Sequence, residues 1–287
     1  CASSKTTGIS QNSRVAGALL LRASGIDVIR FYGFGNETAA PGSDEFYRVT
    51  QDQVRVEPSL LLPLAGPLTL TLGPALKYVS TDRRPNRFLA TLNPYGVGNF
   101  GELGARAALR FDTRDRLSAA TRGVNLEVSG AVHPDWWNVP EVFGDLAGEV
   151  LTFLSPKAPL DPTFAFRLGG RKIFGRFPYF ESAFIGDRST VRLGQNNRFA
   201  GGASAYGSAE LRLTLGRADI VVPTDIGIFG LADLGRVWLA GESSDTWHDA
   251  FGGGLSLGFL SRANTLSVAL AVSDEHTRVY AQAGFGF

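Results

Sequence analysis

The sequence predicts an all-β chain, a transmembrane antiparallel β-barrel of about twelve strands. Three observations carry that prediction. Segment after segment alternates strictly, as a strand with two unlike faces does. From 206 to 215, Ala209, Leu211, Leu213 and Leu215 share one face, while Ser208, Glu210, Arg212 and Thr214 share the other. The ionic face recurs opposite an apolar one along the chain, which suits a wall between lipid and water. A soluble barrel would turn its apolar face inward, and this many strands enclose more space than side chains fill. Finally, short turns alternate with long polar loops, the asymmetry of membrane barrels. No apolar run approaches the ~18 residues that a spanning helix needs. Passage through a bilayer therefore falls to strands, and the sheet must close so that every backbone group is paired.

The chain divides into a polar tail, 1–12, and a barrel, 13–287. Strands are expected at 15–24 and 26–34, then a Gly-, Ala- and Pro-rich loop at 36–45. A long strand at 47–62 sets Val54, Val56, Pro58, Leu60 and Leu62 against Gln53, Arg55, Glu57 and Ser59. After the Ala65-Gly66 turn, 67–79 returns with Leu68, Leu70 and Leu72 outward, and a polar loop follows at 81–98. The strand at 100–112 opposes Leu103, Ala105, Ala107, Leu109 and Phe111 to Arg106, Arg110 and Asp112. A turn leads to 122–132, and Trp136-Trp137 beyond it suits a headgroup layer or, equally, a pair of exposed or packed loop aromatics.

Strands at 142–154 and 163–174 precede the longest loop, 175–202, which is expected to fold into the lumen. Five strands close the chain at 203–217, 223–239, 250–260, 263–273 and 277–287, the last with Val279, Ala281, Ala283, Phe285 and Phe287 on one face. No helix is expected. That is about thirteen segments where single-chain barrels use even numbers. Either one segment is not a strand, leaving twelve, or strands outside this sequence complete a barrel of about 14–16. Arg106, Arg110, Glu210 and Arg212 are the expected lumen lining, as charges met by neighbours and water.

Composition narrows the function. Net charge is +1, charged residues make up 19%, and no basic block occurs, which argues against nucleic acid. Cys1 is the one cysteine, so no internal disulfide forms. Methionine is absent, so the chain is expected to have lost its beginning, and Cys1 is either a lipid-bearing residue or simply where numbering starts. His133, His248 and His276 have no metal-like spacing. No Gly-x-Ser-x-Gly elbow occurs, Asp112 and Asp115 suit turn capping, and Gly252-Gly253-Gly254 leads into a strand rather than a phosphate-binding helix. No catalytic, cofactor-binding or metal site is expected, no cofactor, and no enzyme activity.

Several motifs resemble the Omp85 superfamily of bacterial surface-antigen barrels, most strongly from 191 to 287. Val191-Arg192-Leu193-Gly194, followed by Arg198-Phe199-Ala200-Gly201, is similar to that family's loop motif Val-Arg-Gly-aromatic. Its glycine comes one residue late, and either Arg192 or Arg198 matches the loop arginine. Phe229-Gly230-Leu231-Ala232-Asp233-Leu234-Gly235 resembles the partner motif on a strand near the C-terminus. Trp247-His248 and the terminal Gly-Phe-Gly-Phe look familiar too.

The resemblance implies a lumen-inserted loop locked by Arg192 on Asp233, with Arg198 nearby. It also implies a C-terminal aromatic that signals barrel assembly, and a lateral seam at Gly284, Gly286 and Phe287. Phe31–Thr38, and Asp112–Asp115 with Thr121–Gly123, are similar to barrels fused behind calcineurin-like phosphoesterases. Such an enzyme would lie upstream, outside this sequence. The implied role is protein translocation, insertion or display at a bacterial outer membrane, with the lipid bilayer and a protein substrate or complex as partners. An anchoring barrel for a larger assembly or attached enzyme, and a passive diffusion pore, are the alternatives.

Overall fold

The structure, a computed structural model, describes residues 3–5, 15–25, 29–219 and 222–287. The expected lipid site Cys1 and the expected strand residues 26–28 lie outside them. The strands are β1 (Ser3–Lys5), β2 (Ala16–Ser24), β3 (Ile29–Arg30), β4 (Arg48–Val49), β5 (Gln51–Pro63) and β6 (Leu68–Thr81). After a helical turn α1 (Phe88–Leu92) come β7 (Asn99–Asp112), β8 (Gly123–His133), β9 (Phe143–Leu154) and β10 (Thr163–Phe174). The rest are β11 (Ala183–Ile185), β12 (Phe199–Gly201), β13 (Ala203–Asp219), β14 (Pro223–Trp238), β15 (His248–Phe259), β16 (Thr265–Ser273) and β17 (Thr277–Ala283).

One antiparallel sheet runs β1-β2-β5-β6-β7-β8-β9-β10-β13-β14-β15-β16-β17, each long strand beside its successor. Twelve long strands form the barrel wall, and β1 adds a short segment on the β2 edge. β11 with β12, and β3 with β4, are separate two-stranded pieces in the loops. No pairing joins β17 to β1 or β2 among the described residues.

The alternation sorts side chains as the sequence predicts. Leu60, Leu72, Leu109, Leu126, Leu168, Leu211, Leu234, Phe251, Leu255 and Val268 stand exposed on the outside. Their opposite neighbours Glu57, Glu102, Asn125, Arg167, Glu210, Arg212 and Asp233 are buried inside. An exposed apolar belt around a polar interior is the reverse of a soluble barrel and suits lipid. The β5–β6 ladder is interrupted between Val56↔Leu76 and Leu60↔Leu72. Pro58 and Pro74 lie in that gap, and neither has an N–H to give to a ladder.

The two ends differ. One end has the short connections 64–67, 113–122, 155–162 and 260–264. The other is roofed by long loops that pack on each other. Phe31, Val49, Leu89, Tyr179 and Ala200 form one buried cluster, and Phe100, Val139, Phe143, Ile173 and Ala183 a second.

Three expectations are corrected. Among the described residues of the segment 26–34, only Ile29–Arg30 forms a strand, paired with Arg48–Val49 outside the wall sheet, and Phe31–Thr38 crosses the roof. Removing that segment from the thirteen leaves the twelve of the wall. Residues 88–92 form a helical turn where no helix was expected. The last strand stops at Ala283 rather than Phe287. Gly284 adopts φ +80°, a left-handed conformation open to glycine, and the chain leaves the sheet there.

Candidate functional site: a loop and a tail inside the lumen

The loop 175–202 leaves β10, makes a 3-10 turn at Tyr179–Glu181, and pairs Ala183–Ile185 with Phe199–Gly201. Between those paired pieces the chain doubles back as a tip, 186–198. Gly186 (φ +122°) and Gly194 (φ +88°) allow the reversals. Val191, Leu193 and Phe199 are buried with Ile185, Val237 and Ala250. Burying each such large side chain is worth ~1.5–3 kcal/mol. The wall makes room for the tip: a Cβ on Gly235 would stand 2.6 Å from Val191 Cγ2.

Arg192 is the centre of the polar contacts. Its Nε donates to Asp233 Oδ2 at 2.6 Å and its Nη2 to Asp233 Oδ1 at 2.6 Å. Its backbone N–H also donates to Asp233 Oδ2, at 3.1 Å. The third guanidinium nitrogen, Nη1, donates to Glu210 Oε1 at 2.8 Å. Glu210 Oε2 in turn accepts from Arg212 Nε at 3.0 Å and Nη2 at 2.8 Å. Two cations and two carboxylates thus balance.

This fork-on-fork geometry fits a guanidinium and a carboxylate, and an arginine stays charged where it is buried. The side chains are 4% (Arg192), 0% (Glu210, Asp233) and 6% (Arg212) exposed. Desolvating four charges is costly, so the cluster is stable as a set and fragile to the loss of one member.

The segment 284–287 enters the same cluster. Arg212 Nη2 donates to the Phe287 carbonyl at 2.8 Å, and its guanidinium lies 4.0 Å from the Phe285 ring centre. Phe285 meets Phe229 edge-on, and Phe287 packs on Phe153. A Cβ on Gly286 would stand 2.5 Å from Glu210 Oε1 and 2.7 Å from Arg192 Nη1. The expected lateral seam at Gly284, Gly286 and Phe287 is therefore corrected. Gly284 still bonds β16, its N–H donating to the Thr265 carbonyl at 2.7 Å, whereas Gly286 and Phe287 turn into the lumen, where Gly286 is tightly packed.

Arg198 lies apart from Arg192, under the roof. It donates to Glu275 Oε2 at 2.7 Å and to the Thr38 carbonyl at 2.6 Å, with its guanidinium 4.2 Å from the Phe199 ring centre. Arg106 and Arg110 sit on the far wall. Arg106 is 3.8 Å from Glu57, and Arg110 bonds Asn125 at 3.0 Å and Asp112 at 2.9 Å. His133 stacks on Phe143, and His248 on Phe199. Among the described residues no group of His, Cys, Asp or Glu is arranged to hold a metal ion.

The chain is similar in fold to BamA. One solved structure that matches is that of BamA from Haemophilus ducreyi lacking POTRA domains 1–3, at a TM-score of 0.58 and 12% identity. The match covers 94% of this chain and 58% of that one, so the chain spans less than two thirds of its neighbour. No protein-family model matches the sequence, and no curated protein matches it.

Sequence reasoning missed three residues that hold the loop. Arg167 donates to the Thr190 carbonyl at 2.7 Å and to Ser208 Oγ at 3.0 Å. Tyr280 Oη accepts from the Gly194 N–H at 3.1 Å. Asn36 is fully buried and ties the roof together. It accepts from the Val237 N–H at 2.9 Å, donates to the Thr246 carbonyl at 2.9 Å and to Ser244 Oγ at 3.0 Å, and its own N–H meets Glu242 at 2.8 Å. Arg167 and Tyr280 were legible as inward positions of alternating strands. Asn36 lies in a loop, where no period marks it.

Proposed function

We propose that this chain is an Omp85-like barrel of a bacterial outer membrane that inserts, translocates or displays a protein partner. The observation that carries the reading is the Arg192 tip buried on Asp233 and Glu210. A loop locked inside the wall strands makes a braced barrel with a reduced lumen. The fold likeness to BamA supports the same reading. In this reading Arg192, with Asp233, is the lock between loop and lumen, Arg198 steadies the base of the loop, and β17 offers its outer edge to a partner. A strand edge presents unpaired N–H and C=O groups that an extended peptide can take up.

The test is photo-cross-linking in native membranes from Thr277, Val279 or Ala281 on β17. Adducts to a changing set of unfolded or extended polypeptides are expected. Adducts to one stoichiometric partner would replace this role with an anchoring one. Adducts to lipid alone from all three positions would remove the partner edge.

A further inference from the structure

We propose that the β5–β9 side of the lumen is an ion path, shut at the roof by Glu181. This rests on the membrane-barrel reading above, not on the protein-handling role. Two cavities, about 260 and 450 Å³, share Glu57 and Arg106 and so run together along the inner wall. The larger reaches Pro67, Asp112 and Leu117, at the end with short turns, where Leu117 is 82% exposed. The lining holds Arg55, Lys77, Arg106, Arg110 and Arg171 against Glu57, Glu102, Asp112, Glu127, Asp145 and Glu181. Acidic and basic groups are close to balance along it, and Glu127, unpaired among the described residues, tips the lining weakly toward small cations.

Two acidic groups on this wall are not fully used by the protein. Neither oxygen of Glu102 has a hydrogen-bond partner within the chain, although the residue is 1% exposed; its nearest cation, Lys77, is 3.9 Å away. Buried carboxyl oxygens without protein donors need water. Glu127 likewise faces the larger cavity, with no hydrogen bond or ion pair to it among the described residues.

The path ends at the 3-10 turn Tyr179–Glu181. Glu181 accepts from Lys77 of β6 and from Arg171 Nη2 of β10, the latter at 2.9 Å. The Lys77 ammonium also lies 4.5 Å from the Phe180 ring centre. Two wall cations thus hold one loop carboxylate across the lumen, and the buried Phe100–Phe143 cluster packs around Phe180 behind it. Burial alone would raise the Glu181 carboxyl, but the charges and hydrogen bonds of Lys77 and Arg171 hold it below the usual carboxylate range. The turn crosses the path and is not a wall strand. Weakening its two ion pairs loosens its Glu181 end without cutting the sheet, while Tyr179 stays buried and bonded to Thr81 at 3.1 Å.

The experiment is single-channel recording of the full chain in planar bilayers under a potassium chloride gradient. Wild type should give brief, small openings with a weakly cation-selective reversal potential. E181Q should raise open probability roughly tenfold, about what losing one charge-assisted hydrogen bond does to an equilibrium. A short bis-methanethiosulfonate cross-linker, which forms a disulfide with each thiol and releases methanesulfinate, should suppress the openings when it joins K77C and E181C in a Cys1→Ser background. E127Q should move the reversal potential toward zero. Unchanged open probability in E181Q together with openings that survive the cross-link would overturn the latch. Opening by R192A instead of E181Q would overturn the assignment of the path to this side. A chain that never inserts would remove the barrel reading itself.

Discussion

The two sides of this lumen share one strand pattern and end in opposite states. On the β13–β17 side, inner positions include Ala250, Gly252, Gly254, Ala269 and Ala271, and a loop tip and the 284–287 segment occupy the space they leave. A cavity beside Arg212 and Phe285, at the end with short turns, is about 50 Å³. On the β5–β9 side the inner positions are long and charged, and about 260 and 450 Å³ stay open. Arg192 is 4% exposed within its ion pairs, whereas Arg106 and Arg110 are 40% and 42% exposed within theirs. The residue types on an inner face thus decide whether it receives protein or water. Small residues admit a second layer of chain. Long charged ones pair across strands and leave gaps that only small polar species fill.

The comparison breaks most readily at Asp233. Asp233→Ala leaves Arg192 buried with half its partners and should cost ~3–5 kcal/mol, as the loss of one member of a buried ion cluster does. Urea titration of the vesicle-inserted protein measures that cost, and limited proteolysis within 186–198 reports release of the tip. A tip as protected as in the wild type would show that the β13–β17 side is held by packing alone. Gly286→Ala is the next largest. Its Cβ would press on Glu210 and Arg192, and overpacking of this kind costs ~1–3 kcal/mol. An unchanged urea midpoint would mean that the 284–287 segment is free to shift aside.

How far the sequence revealed this follows from where periodicity operates. The wall was legible because period-two alternation persists through β5–β10 and β13–β16. Asp233 stood out as an acid among apolar and glycine positions on one strand. The final turn was not legible: Gly-Phe-Gly-Phe continues the alternation past Ala283, so the pattern gives no sign that φ at Gly284 reverses the chain. The helical turn 88–92 is five residues long and its N-terminus at Arg87 has no side-chain cap, so neither period nor capping announced it. Asn36 draws its partners from 237–248, and contacts that distant leave no local signature. The lock between Arg192 and Asp233 came from resemblance and the chemistry of the pair, not from spacing.

Asn36 sharpens the comparison at the roof, which covers both sides. Asn36→Ala strands the buried Val237 N–H and should cost ~1–3 kcal/mol. Hydrogen exchange should then rise at Phe31–Thr38 and 239–247 while the Arg192 tip stays protected. Simultaneous release of the tip would mean that roof and tip form one cooperative unit. Glu57→Gln, on the open side, should change stability by less than ~1 kcal/mol, since Arg55 and Arg106 around it are partly hydrated.

A small effect that depends on pH is expected at Asp115, in the turn below the open side. Its carboxylate accepts from the Thr121 N–H at 2.9 Å, the Thr121 hydroxyl at 2.8 Å and the Arg122 N–H at 3.2 Å. Burial pushes the carboxyl up, but these hydrogen bonds outweigh it and hold the group below its ordinary value. A depressed carboxyl stabilises the fold above its unfolded value, near 3.9 for aspartate, and loses that contribution as pH falls through the folded value. Asp115→Asn should therefore cost about 1 kcal/mol near neutral pH, and the difference from wild type should shrink below about pH 4. Urea midpoints of both proteins across pH 3–7 measure it. A difference that stays constant with pH would mean that the turn is held by its backbone conformation, not by the ionised carboxylate, and that the open side depends on no buried charge even at its rim.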